Sequence, residues 1–136
     1  MLRLLFIGDV VGETGCAAVQ ALVPTLRREL WLDAVVANGE NSAPGGRGIT
    51  AKSGSNLLSV VDFLTLGNHA FDAQGGKEYL AREQRVIRPA NMRVDLPGRG
   101  WGTFEAGACV WGSPTCRAGY SCRRLRAPPL VPPRKR

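Results

Sequence analysis

The segment AVVANGEN (Ala34–Asn41) joins a short apolar run to a polar end, and it decides how the rest of the sequence is interpreted. Similar apolar runs lie about 30 residues away on either side, LRLLFI at residues 2–7 and FLTL at residues 63–66. Short continuous runs of this kind are typical of parallel strands that are covered on both faces. Their spacing predicts repeated strand–helix–strand units, and therefore an α/β fold with a mostly parallel sheet flanked by helices.

Helices are predicted between these strands over residues 14–30, 50–60 and 76–85, with Thr14 and Thr50 as the N-caps of the first two. A fourth strand is predicted at the apolar pair 86–87, and a further one in GWGTFEAG at residues 100–107. Four other side chains receive structural interpretations from their positions in this pattern. Cys16 is predicted to pack in the core, Trp31 and Trp101 to be core or covering aromatics, and Asp72 to cap the third helix.

The charge of the chain is concentrated at one end. Residues 1–106 carry 11 basic and 11 acidic side chains, whereas residues 107–136 carry seven basic side chains and no acidic one, which accounts for the net charge of +7. The sequence therefore predicts a folded domain over residues 1–106 and a disordered basic tail over residues 107–136. Apolar runs are too short for a membrane span or a signal peptide, so we expect a cytoplasmic protein without membrane contact.

Each of the three apolar runs ends in a glycine followed by polar side chains. Asp9 follows the first run, Glu40 and Asn41 follow the second, and Asn68 and His69, the single histidine, follow the third. Because the carboxyl ends of parallel strands meet in one crevice, we expect these groups to share a pocket. Carboxylates, amides and an imidazole are ligands that divalent metals accept, and a two-metal centre holds a phosphate and generates hydroxide near neutral pH.

Taken singly, each of these residues has a plainer explanation. Asp9 could cap the first helix, Glu40 and Asn41 could be solvated loop residues, Asn68 could occupy a left-handed turn, and His69 could be structural. The same arrangement recurs at three consecutive strand ends, and this recurrence favours a shared site.

These motifs resemble those of a known enzyme family. GDVVG, NGEN and GNH resemble the calcineurin-like metallophosphoesterases, and with RPAN at residues 88–91 they are similar to the YmdB-like branch, which acts on cyclic nucleotides. The resemblance covers about residues 1–106 and implies the N-terminal part of a metallophosphoesterase fold. It also implies a metal-dependent phosphodiesterase whose substrates are 2′,3′- or 3′,5′-cyclic nucleotides or related phosphodiesters.

The resemblance further implies a role for each site residue. Asp9 and Asn41 would bind the first of two divalent ions, which are iron or manganese in this family. Glu40 would bridge the ions, and Asn68 would bind the second. His69 would act as general acid toward the leaving ribose oxygen, a role that suits an imidazole because it titrates near neutral pH. The glycine-rich residues 42–48 would cover the pocket, with Arg47 in reach of a phosphate.

The chain departs from the family pattern in its later part. The family supplies three further imidazole ligands from motifs that have no counterpart here, since His69 is the only histidine. We therefore expect Asp9, Glu40, Asn41 and Asn68 alone to hold metal weakly, with low activity of this chain and exposed apolar sheet surface.

The tail has two interpretations. Shifted by one reading frame, the codons permitted for residues 108–124 can encode a segment similar to the one that follows the GWGTFEAG strand in this family, so we hypothesise that the tail is an out-of-frame extension. The alternative is a non-catalytic chain, either an inactive fragment or a nucleic-acid-binding protein whose basic tail binds RNA through counterion release. Its cysteines lack the CxxC spacing of a zinc site, and its proline-rich end is compatible with a polyproline helix. No oligomeric state is predicted.

Sequencing of the genomic locus tests the frame hypothesis. We expect a continuation in another frame, starting near the codon for residue 107 and containing further histidine codons in motifs like those of the family. A confirmed reading frame with no such continuation would contradict the hypothesis.

Overall fold

The computed structural model describes residues 2–106 and 109–114, with side chains as far as residue 103. Within these residues the chain forms six strands and three helices, in the order β1 (Leu4–Val11), α1 (Gly12–Glu29), β2 (Ala34–Asn41), α2 (Ala51–Leu58), β3 (Phe63–Thr65), α3 (Gly76–Arg82), β4 (Val86–Ile87), β5 (Trp101–Ala106) and β6 (Cys109–Pro114). No helix in this described part is both long enough and apolar enough to cross a membrane.

The central sheet is parallel and has the order β1-β2-β3-β4. Leu4 of β1 lies opposite Ala34 of β2, Val36 of β2 lies opposite Phe63 of β3, and Leu64 of β3 lies opposite Val86 of β4. The strand–helix–strand alternation predicted from the apolar runs is therefore confirmed. A consequence for function is that β1, β2 and β3 all point their carboxyl ends toward the same edge of the sheet.

The helices pack on one face of this sheet. The main apolar core joins Val23 of α1, Leu57 of α2 and Leu80 of α3 to sheet residues such as Val35 and Leu64. The opposite face carries a smaller cluster of Val36, Phe63 and Ile87, with Leu4 packed against it. Phe6, which follows Leu4 on that face of β1, remains 57 % exposed, in agreement with the expected apolar surface.

The helix bounds follow the local backbone and differ in part from prediction. Helix α1 begins at Gly12, because that glycine adopts a left-handed φ of +61° directly after β1, and no side chain caps the helix. The prediction that Thr14 caps α1 is therefore wrong. Helix α2 confirms its predicted cap: the Thr50 side chain accepts a hydrogen bond from the Ser53 amide, and the Ser53 hydroxyl accepts one from the Thr50 amide.

The third helix is shorter than predicted. It ends at Arg82, since Glu83 is already extended and leads the chain into β4. Its N-cap is Gly75 in a left-handed conformation, so the predicted capping role of Asp72 is wrong. The positions of the two tryptophans also correct the prediction: Trp31 is 77 % exposed and Trp101 is 49 % exposed, whereas Cys16 is buried as expected.

A second, antiparallel sheet follows the parallel one. The strand predicted in residues 100–107 is observed as β5, and it pairs with β6 from Trp101 opposite Pro114 to Ala106 opposite Cys109. Strand β6 lies on the tail side of the boundary predicted at residue 106. The remainder of the predicted tail, residues 107–108 and 115–136, lies outside the described residues, and its disorder stays a prediction.

We expect Thr50→Ala to destabilise the protein by about 1 kcal/mol, because it removes the hydrogen bond that the Thr50 side chain accepts from the Ser53 amide at the start of α2. Urea unfolding followed by circular dichroism measures this change. The matched control is Thr14→Ala, an exposed threonine in the first turn of α1 without a capping bond. Equal losses in the two variants would contradict the assignment of Thr50 as the cap.

Candidate metal centre at the ends of the parallel strands

Asp9 reaches the site through an irregularity in β1. Ile7 lies opposite Ala37, but Asp9 lies opposite Asn38 and Val11 opposite Asn41, so the register shifts on both sides of Asp9. Such bulges bend a strand and re-aim its side chains. Asp9 therefore lies within β1 and not just past it, as the sequence had suggested.

Asp9 and Asn41 are joined across the two strands. The Asn41 Nδ2 donates a hydrogen bond to Asp9 Oδ2 at 2.8 Å. Because a carboxylate only accepts hydrogen bonds, the amide nitrogen of Asn41 must face Asp9, and this fixes the orientation of the amide. The amide oxygen, Asn41 Oδ1, is then buried with no hydrogen-bond partner. Leaving such an acceptor unpaired costs about 1–3 kcal/mol, which a bound cation would offset.

Glu40 is held in place by its neighbours in β2 and in the β3 loop. Asn38, two residues earlier on the same face of β2, donates from Nδ2 to Glu40 Oε1 at 3.3 Å and accepts the Glu40 amide at 2.9 Å. The backbone amide of His69 donates to Glu40 Oε2 at 3.0 Å. The carboxylate lies directly over Gly67, where any β-carbon would collide with it. Glu40 thus links the ends of β2 and β3.

Asn68 and His69 follow β3 in a turn. Asn68 is exposed, and no hydrogen bond of its side chain to another described residue is observed. His69 keeps 25 % of its side chain exposed, and its Nδ1 lies 2.7 Å from Asp72 Oδ2. Arg47, from the loop after β2, lies 3.1 Å from the same carboxylate oxygen. The hydrogen bond with His69 holds the pKa of the Asp72 carboxyl below its ordinary value; partial burial opposes this effect, and the Arg47 charge assists it.

The plainer explanations of Asp9, Glu40 and Asn68 do not fit the structure. Asp9 is not a helix cap, since α1 is capped by no side chain. Glu40 is a half-buried, hydrogen-bonded strand residue and not a solvated loop residue. Asn68 has no left-handed backbone, because Trp31 is the only non-glycine residue with positive φ among those described.

The structure brings the predicted residues together in two pairs. Asp9 contacts Asn41, and Glu40 contacts the backbone of His69. No hydrogen bond joins one pair to the other in the described part of the chain. No three His, Cys, Asp or Glu side chains in residues 2–103 lie together as a metal-binding group. An ion at this edge would therefore need amide oxygens as ligands besides carboxylates. The unpaired Asn41 Oδ1, which lies beside the Asp9 carboxylate, is a candidate for such a ligand.

Two functional candidates were missed or misassigned from the sequence. Asn38 belongs to the AVVANGEN segment and precedes Glu40 by two residues. Because residues two apart on a strand lie on the same face, this spacing already indicated a contact between them. Asp72 was assigned to a helix cap, although its spacing of three residues from His69 is also compatible with a side-chain contact across a turn. Arg47 lies beside both His69 and Asp72, so the glycine-rich loop contacts the site edge.

Comparison with known proteins shows the family to which the chain belongs. A model described as YmdB-like protein matches residues 5–111, and the chain belongs to this family, as its motifs predicted. Over 100 residues it is 38 % identical to the 2′,3′-cyclic-nucleotide 2′-phosphodiesterase of Bacillus subtilis. This match covers 73 % of this chain and 38 % of that protein. A putative phosphatase/phosphodiesterase of Mycoplasma genitalium is 30 % identical, over 70 % of this chain and 34 % of that protein.

Solved structures agree with the fold. A hypothetical protein from Thermus thermophilus matches with a TM-score of 0.72 and 39 % identity, over 80 % of this chain and 42 % of that one. A Mycoplasma pneumoniae phosphatase matches with a TM-score of 0.73 at 24 % identity, over 82 % and 41 % of the two chains, and this likeness supports the fold alone. The chain spans less than half the length of these relatives.

We expect Gly67→Ala to weaken Mn²⁺ binding about tenfold, because the new β-carbon displaces the Glu40 carboxylate from the His69 amide. The fold should persist, since the displaced group is the flexible end of a side chain. Isothermal titration calorimetry with Mn²⁺ measures the affinity, and thermal unfolding monitors the fold.

Gly8→Ala is the matched control for this measurement. Gly8 also precedes a predicted ligand, but a β-carbon there meets no atom within 4 Å. Wild-type affinity in Gly67→Ala, or an equal loss in Gly8→Ala, would contradict the placement of Glu40 at the ion.

Proposed function

We propose that this chain carries the metal-binding and acid-donating residues of a metal-dependent phosphodiesterase that hydrolyses cyclic nucleotides. The observation that carries the proposal is the buried, unpaired Asn41 Oδ1 held beside the Asp9 carboxylate at the carboxyl edge of the sheet. A buried acceptor next to a negative charge is unfavourable unless a cation is bound there. The names of the bacterial relatives support the reaction class.

Four side chains would hold two divalent ions. Asp9 and Asn41 offer a carboxylate oxygen and the orphaned amide oxygen to one ion, and Asn68 offers an exposed amide to the other. Glu40, whose carboxylate is held by Asn38 and by the His69 amide, would be shared between the two ions. When bound, such ions polarise a phosphoryl oxygen and lower the pKa of water near neutrality.

His69 would act as the general acid. In a 2′,3′-cyclic nucleotide, water adds to phosphorus, the bond from phosphorus to the 2′ oxygen breaks, and that oxygen takes up a proton as it leaves. This role is supported by the hydrogen bond that the His69 amide donates to Glu40, since it holds His69 next to a proposed metal ligand. Proton transfer by a positioned imidazole contributes about 10²–10⁴-fold to the rate. The name of the Bacillus subtilis relative favours cleavage at the 2′ position over a 3′,5′-cyclic substrate.

The glycine-rich loop contributes charge to this edge. Arg47 of that loop is 68 % exposed and lies next to the His69 ring, so its guanidinium can meet an anionic substrate as well as Asp72. Arginine suits phosphate because its planar donors match two oxygens at once. We assign it the role of an electrostatic contact to the substrate phosphate.

We expect the full chain to hydrolyse 2′,3′-cyclic AMP in the presence of Mn²⁺, with turnover abolished by chelation. His69→Ala should lower kcat by at least about 100-fold, because it removes the proton donor to the leaving oxygen. Gln74→Ala, an exposed change in the same loop, is the matched control and should leave turnover unchanged. Product release is followed by chromatography at saturating substrate.

Two results would contradict the proposal. The first is Mn²⁺-independent turnover, or none at all in folded protein. The second is RNA binding by the intact chain that weakens with salt and is lost when residues 107–136 are removed, in a protein that shows no phosphodiesterase turnover. This second result would favour the basic-tailed, non-catalytic alternative, because binding through phosphate contacts weakens steeply with salt.

A further inference from the structure

We infer that Asp72 is the positioning residue of His69: it fixes the hydrogen of the neutral ring on Nδ1 and leaves Nε2 as the nitrogen available to the substrate. The inference deepens the proposed function and rests on it for its catalytic meaning. The ring geometry that carries it is a property of this chain whether or not the chain is active.

Three polar groups meet at the Nδ1 edge of the ring. Asp72 Oδ2 lies 2.7 Å from His69 Nδ1, a distance typical of a charge-assisted hydrogen bond. Arg47 Nη2 lies 3.1 Å from the same carboxylate oxygen and 3.3 Å from His69 Nδ1. The carboxylate is therefore shared between a cation and an imidazole.

The chemistry of these groups permits one arrangement of hydrogens in the neutral ring. An ionised carboxylate only accepts, so Nδ1 at 2.7 Å must carry a hydrogen and donate it. The guanidinium only donates, so Arg47 directs its hydrogen to Asp72 and not to the occupied Nδ1. A ring with its hydrogen on Nε2 would instead place two lone pairs face to face at 2.7 Å. Ionisation of Asp72 is favoured by the same neighbours, which lower its pKa.

The backbone holds this arrangement. The Asp72 amide donates to the His69 carbonyl at 3.1 Å, which closes a turn and brings the two side chains together three residues apart. The His69 amide is fixed in turn on Glu40. The residue after His69, Ala70, is fully buried in the main core and anchors the turn. The turn that holds the His69–Asp72 contact is therefore tied to the sheet that carries the proposed ions.

This geometry determines which nitrogen exchanges protons. A ring that keeps its Nδ1 hydrogen on Asp72 donates and recovers its second proton at Nε2, so the proton given to the leaving oxygen comes from that atom. The role parallels the carboxylate that holds the histidine tautomer in serine proteases, where replacing it by an amide costs about 10⁴ in kcat. Here the pair is partly exposed, with 38 % of the Asp72 side chain accessible, so a smaller loss is expected.

The single histidine makes a direct test feasible. Long-range ¹H–¹⁵N correlation spectra of the metal-free full chain report the tautomer of His69 without any other imidazole signal. The spectra are recorded over a pH series, and the tautomer is determined at the alkaline end, where the ¹⁵N shifts themselves identify the neutral ring. We expect the hydrogen on Nδ1 in the wild type. Asp72→Ala should lower the ratio of the Nδ1–H to the Nε2–H form about tenfold, and Asp72→Glu should restore part of it.

Asp95→Asn is the matched control. Asp95 is also an exposed carboxylate bound to an arginine, at 2.7 Å from Arg93, but it contacts no histidine. It should leave both the tautomer and the kinetics unchanged. In the Mn²⁺ assay, Asp72→Ala should lower kcat about tenfold or more with little change in KM, since the ring is mispositioned while the substrate contacts persist.

The outcomes separate this inference from the proposed function. A wild-type ring with its hydrogen on Nε2, or an Asp72→Ala spectrum identical to wild type, overturns the positioning role even if the chain is active. The expected tautomers in a chain without Mn²⁺-dependent turnover support the ring geometry and contradict the proposed function. If Asp72→Ala does not fold, Asp72→Asn keeps the shape of the side chain and gives the same readout.

Discussion

Parallel pairing of β1, β2 and β3 is the constraint on which the rest of the structure depends. Because the three strands run in one direction, the polar residues at their ends lie along one edge of the sheet, although they are about 30 residues apart in the chain. The three helices pack on the face of the sheet that carries the main apolar core, and this packing holds the strands in alignment. A shift of one register position would turn the end residues to the opposite face.

The site at this edge carries features that stability alone does not explain. The amide oxygen of Asn41 is buried without a hydrogen-bond partner, which costs free energy, and it lies beside the Asp9 carboxylate. Glu40, by contrast, has both carboxylate oxygens occupied by donors from β2 and the β3 loop. The edge thus combines a positioned carboxylate with one unsatisfied amide oxygen, an arrangement that suits cation binding and is consistent with membership of the YmdB-like family.

Much of the fold could be predicted from local patterns, and the errors share a cause. The apolar runs located the parallel strands, and Thr50 marked the start of α2. Thr14 and Asp72 failed as caps because glycines with left-handed backbones, Gly12 and Gly75, turn the chain into those helices instead. The exposure of Trp31 could not be predicted, since burial depends on which elements pack beside a residue and not on its hydrophobicity.

The amino-acid sequence by itself determined the residue types at the strand ends, their order and the family they signal, because these are local patterns and a motif match needs no coordinates. Only the tertiary structure decided which of those residues touch. The pairing of Asp9 with Asn41 depends on the register shift in β1. The contacts of Asn38 with Glu40, and of His69 with Asp72 and Arg47, depend on side-chain directions that strand and turn geometry sets. These are distances of a few ångströms between separate segments, and no single segment encodes them.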